Sequence, residues 1–121
     1  MEAHQARAEM EPNNPEAWHS MASFYQNQVF RDKQLPRETQ IEYIEKGIEA
    51  DDKALALNPD YFEALSYKNI LLRMLAPFRT GAERQQLLDE ADRLFERALE
   101  VQAAQSGDAA GSGAGGGEGS D

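Results

Sequence analysis

Glu11-Pro12-Asn13-Asn14-Pro15-Glu16-Ala17-Trp18 returns 47 positions later as Asn58-Pro59-Asp60-Tyr61-Phe62-Glu63-Ala64-Leu65. Each copy places a proline four residues ahead of Glu-Ala and six ahead of a large apolar side chain. Proline has no N–H and its ring clashes inside a helix, so both copies mark joints rather than helix interiors. Pro36 and Pro77 behave in the same way, and all five prolines fall outside the runs that have helical periodicity.

Between the joints lie four stretches of about 20 residues. In the first, Pro15 to Gln34, Trp18, Met21, Ala22, Tyr25 and Val29 recur at spacings of three and four, which is one buried helical face. Asn14 is its expected N-cap, with Pro15 at the first helical position. The second, Arg37 to Leu57, carries Ile41, Ile44, Ile48 and Leu55 on one face and the i,i+4 pairs Glu42 with Lys46 and Glu49 with Lys53 on the other. The third opens on Asp60-Tyr61-Phe62-Glu63, a capping-box-like pattern, and the fourth on Thr80-Gly81-Ala82-Glu83. The third buries Phe62, Leu65, Leu72 and Leu75. The fourth, expected to end near Gln105, spreads Leu87, Leu88, Ala91, Leu94, Phe95, Ala98, Leu99 and Val101 over an arc of roughly 160°. No stretch alternates with period two. The expectation is an all-α fold of two antiparallel helical hairpins.

The chain has 121 residues, enough for one small domain. Seven of its nine glycines lie in 106–121, where nothing apolar exceeds alanine, so burial there cannot offset the entropy of ordering. Three segments result: 1–14, the end of a preceding helix or a frayed N-terminus; 15–105, the helical domain; and 106–121, a disordered Gly/Ser/Ala-rich tail. The formal charge of -10 repels nucleic acid and anionic lipid surfaces. There is no cysteine, which excludes disulfides and zinc-thiolate sites. Apolar runs are short, such as Ile70-Leu71-Leu72, far below a membrane span, and Met1 to Arg7 lacks the apolar centre of a signal peptide. A cytoplasmic location is the expectation, which would change if the chain were a fragment that has lost an export signal.

The repeat resembles the tetratricopeptide repeat family, in which paired antiparallel helices stack into a superhelix. Trp18, Met21, Ala22 and Tyr25 match the helix A signature of that family. Ala91, Phe95 and Ala98 match the small, aromatic, small spacing of helix B, and Ala54-Leu55-Ala56-Leu57-Asn58-Pro59 resembles the phrase that ends a unit. The likeness covers Glu11 to Ala104 as about two units, in a long-hairpin variant. Asp51 stands where helix B usually has an aromatic. Asn69 stands where helix A usually has a small residue, so it must hydrogen-bond or lie at an edge.

The resemblance implies a short tetratricopeptide-like superhelix whose concave face, lined by helix A residues, binds a protein or peptide. Carried onto this chain, that face comprises Glu16, His19, Ser23, Gln26 and Asn27 from the first unit and Glu63, Ser66, Ile70, Arg73 and Met74 from the second. Ile70 and Met74 either form an apolar strip in the groove or pack beneath the hairpin.

The residues themselves argue against catalysis, cofactor and metal. His19 and Ser20 diverge by about 100° on a helix and His19 is expected to face solvent. Asp51-Asp52 with Glu45, Glu49 and Glu90 reads as a solvated charged edge. The leading expectation is therefore a non-catalytic binding scaffold. The alternative is a self-assembling structural piece or a fragment of a longer array. Self-association through Leu94 and Val101, as a homodimer or by docking on a neighbouring repeat, is also expected, because the fourth helix has more apolar arc than one partner covers.

Overall fold

The computed structural model describes the backbone of residues 2–113 and the side chains of 4–105. It is all-α: α1 (Glu2–Met10), α2 (Pro15–Arg31), α3 (Arg37–Leu57), α4 (Phe62–Leu75), a 3-10 turn over Ala76–Phe78, and α5 (Gly81–Gly113). α5 extends past the expected end at Gln105. Residues 114–121, with the side chains from 106 onward, lie outside the described residues, and so does most of the reading of that segment as a tail.

Helix starts follow local chemistry in part. Asn14 caps α2 by accepting the Glu16 N–H at 3.0 Å, with Pro15 at the first position, where a missing donor is harmless. α4 departs from its expected cap. Its N-cap is Tyr61, with no side-chain hydrogen bond, and the Asp60 carboxylate accepts from Arg97 of α5. Gly81 opens α5 at a φ of +56°, a left-handed conformation that favours glycine.

α2 pairs with α3 and α4 with α5, α3 packs on α4, and α1 lies against α2. One core holds Ala22, Val29, Ile44, Ala50, Leu71 and Leu75; a second holds Leu65, Ala98 and Val101. The two hairpins meet at Gly47. A Cβ there would stand 3.5 Å from Tyr25 Cβ, an ordinary contact, but 3.1 Å from Leu71 Cδ1, so the glycine lets α3 and α4 approach without Leu71 having to give way by a few tenths of an ångström.

Several sequence expectations change here. Val101 is buried against Leu65 and Ala98, and Leu94 is half-buried in the same cluster, so this pair faces its own hairpin partner rather than an open rim. Glu42 does pair with Lys46 at 3.4 Å. Lys53, however, sits 4.6 Å over the Trp18 ring instead of on Glu49. Trp18 is half-buried, its indole N–H donating to the Pro12 carbonyl at 3.0 Å. Trp18→Ala should therefore cost about 2 kcal/mol in urea unfolding, below the 3–5 kcal/mol of a fully enclosed large aromatic. A loss above about 4 kcal/mol would contradict this half-exposed placement.

Candidate functional site

An open groove of about 450 Å³ runs along α2 between α1 and the start of α4. Five of the expected concave-face residues line it: Glu16, His19, Ser23 and Asn27 from α2, and Glu63 from α4. They lie within one helical arc of α2, repeating at three and four, and the α3–α4 joint brings Glu63 across. Sequence reasoning missed the far wall, made by His4 of α1 with Phe24 and Arg31 of α2. His4 and Phe24 stack with centroids 5.1 Å apart.

The other expected residues are elsewhere. Gln26 and Ser66 are half-buried outside the groove. Arg73 donates to Asn69 at 2.7 Å and pairs with Asp92 of α5 at 2.8 Å, which ties it to its own hairpin. That bond also gives Asn69 the partner its position demanded. Met74 packs on the first core, and Ile70 remains exposed. Met74 thus takes the packed alternative, whereas Ile70 neither packs beneath the hairpin nor lines the groove.

Beneath the groove, His19 is hydrogen-bonded to a buried carboxyl group. His19 does not face open solvent: its Nδ1 lies 3.0 Å from Asp51 Oδ1, and its ring meets Tyr67 edge-on at 4.7 Å and Tyr61 at 5.8 Å. A carboxylate only accepts, so the ring nitrogen must donate to the ionised form. Asp51 is completely buried and its Oδ2 has no hydrogen-bond partner among the described residues. Burial pushes the Asp51 carboxyl up to about 6, even though the bond and charge of His19 pull the other way. Burial, with Glu63 and Glu16 nearby, also pushes the Tyr61 phenol up, so it stays a neutral hydroxyl at the groove edge.

No family model, curated protein or solved structure matches the chain.

The acidic edge read from Asp52 and Glu90 is neutralised by the chain itself. Lys68 Nζ reaches Asp52 at 2.6 Å and Glu90 at 2.9 Å. Burial opposes the Lys68 charge, but these two bonds outweigh it and hold the ammonium above the ordinary lysine value. Glu45 is likewise taken by Arg79 at 2.7 Å. Among the described residues, no group of three His, Asp or Glu side chains is arranged to hold a metal ion, and no helix is long and apolar enough to cross a membrane.

A smaller cleft of about 210 Å³ lies between α1, α2 and α3, lined by Trp18, Met21, Tyr25, Lys46 and Lys53. Its cations are partly engaged, Lys53 on Trp18 and Lys46 on Glu42. The larger groove is therefore the better candidate for a ligand.

Proposed function

We propose that the chain is a non-catalytic scaffold of the tetratricopeptide-like kind that binds an extended peptide or protein segment in the groove along α2. The observation that carries this reading is that one face of α2, bearing Glu16, His19, Ser23 and Asn27, and Glu63 of α4 line a single concavity of peptide-accommodating size. Its chemistry fits a peptide backbone. Asn27, Gln28 and Ser23 offer neutral donors and acceptors, Arg7 pairs with Glu16 at 3.2 Å, Arg31 adds a second cation to the lining that holds Glu63, and Phe24 supplies an apolar wall for one side chain.

Peptides selected from a random display library on the intact chain test the proposal. They should compete with one another, and Ser23→Arg, which fills the groove from a half-buried site on α2, should weaken them at least about tenfold without lowering thermal stability. Selected peptides that bind Ser23→Arg as well as the native chain would place recognition elsewhere.

A further inference from the structure

The two halves of the chain share a burial pattern at the 47-residue offset. On α3, Ile44, Gly47, Asp51 and Ala54 are buried; their counterparts on α5, Ala91, Leu94, Ala98 and Val101, are buried or half-buried. These are the faces that α3 and α5 each turn toward the helix preceding them. The adjoining faces differ. On α3, Ile48 packs on the core that contains Leu71, and Asp52 is bonded by Lys68, so α4 covers this side. At the equivalent places on α5 stand Phe95 and Leu99, each 48% exposed, with half-buried Leu88 two turns before Phe95 on the same stripe. No described element covers them.

We propose that this face of α5 seats an amphipathic helix of a partner protein, one with an apolar stripe and lysine or arginine beside it. The charge around the stripe selects that chemistry. Asp89, Asp92, Glu96 and Glu100 are all exposed on α5. Arg73 takes Asp92 and Arg97 takes Glu100, while Asp89 accepts only from Gln85 and Glu96 meets no cation among the described residues. A second copy of the chain would bring the same carboxylates and its own charge of -10 against this edge. The chain itself shows the kind of occupant that fits. α4 covers α3 with Leu71 on the apolar line and Lys68 clamped between Asp52 and Glu90.

The probe is a synthetic helical peptide of about 18 residues with leucines at helical spacing and lysines flanking them, beside a twin whose lysines are glutamates. Both are titrated into the isotope-labelled full chain by NMR. The lysine peptide should perturb Leu88 to Gln102, and Phe95→Asp or Leu99→Asp, each a change at an exposed site, should raise its Kd at least about tenfold. Glu96→Lys should weaken the lysine peptide and strengthen the glutamate twin. The proposal is overturned by equal affinity for the two peptides, or by perturbations centred on Ser23 and Asn27. It also fails if about 1 mM peptide causes no perturbation. Sedimentation of the unmodified chain as a dimer that Phe95→Asp separates would assign the face to a second copy instead.

Discussion

Asp51→Asn should gain about 2.5 kcal/mol of stability relative to the native chain as the pH rises from 4 to 7.5, measured as the difference between paired urea titrations at each pH. Burial raises the folded-state carboxyl to about 6 against 3.8 for the free group. Only below about pH 3 is the group protonated whether the chain is folded or not, so that its ionisation contributes nothing to the balance. Between these values the folded chain holds a proton that the unfolded chain releases. Stability therefore falls as pH rises through this window, and above 6 the full cost of an ionised, buried carboxylate is present.

Asparagine is close in shape, keeps an oxygen that can accept from His19 Nδ1, and never ionises, so its stability lacks that slope. Other carboxylates titrate in the same range, but they do so in both proteins and cancel in the difference. An unchanged gap between the two curves from pH 4 to 7.5 would mean that Asp51 is solvated, contrary to its complete burial.

A group that destabilises the folded chain at neutral pH stands against the logic of packing alone. Its partner His19 lines the proposed peptide groove, so the cost is carried beneath the candidate site. An apolar residue at position 51 would serve the α2–α3 contact better, but it would leave the imbedded imidazole without its oriented bond. The pair thus fixes the ring between Tyr61 and Tyr67, joining α2, α3 and α4 at one point.

How far the sequence was legible depended on whether the answer was local. The cap at Asn14, the span Arg37 to Leu57 and the α2 face built on Ala22, Tyr25 and Val29 rest on neighbouring residues, and spacing alone reveals them. The His19–Asp51 bond joins residues 32 apart on separate helices. Still, one signal was present: Asp51 lies on the same stripe as Ile44, Gly47 and Ala54, where a carboxylate must either find a partner or unbalance the helix pair. Leu94 and Val101 were misplaced for a different reason. A helical wheel shows how wide an apolar arc is but not which part meets the helix before it. Setting α5 against α3 at the repeat offset assigns Leu94 and Val101 to the inner face and Phe95 and Leu99 to the outer one. Arg73 likewise could not be placed from its own helix, because Asp92 that holds it arrives from the next.

Leu71→Ala should destabilise the chain by about 3 to 4 kcal/mol, and adding Gly47→Ala to it should restore about 1 to 1.5 kcal/mol. Leu71 is fully buried between the hairpins, so its truncation removes transfer energy and leaves a cavity that rigid helices on either side close only in part. Gly47 faces that same space, and a methyl added there in the native chain would press on Leu71 Cδ1 at 3.1 Å and Cδ2 at 3.3 Å. The gain of roughly 1 kcal/mol from alanine in a helix interior is then offset by strain, and Gly47→Ala alone should be close to neutral. Once Leu71 is shortened the strain vanishes and the methyl occupies part of the void, so the two substitutions should couple by about 1 kcal/mol or more in a double-mutant cycle. Strict additivity, within about 0.3 kcal/mol, would show that α3 and α4 do not meet at Gly47. The contact that joins the two hairpins, and with it the position of Glu63 across the groove, would then have to be redrawn.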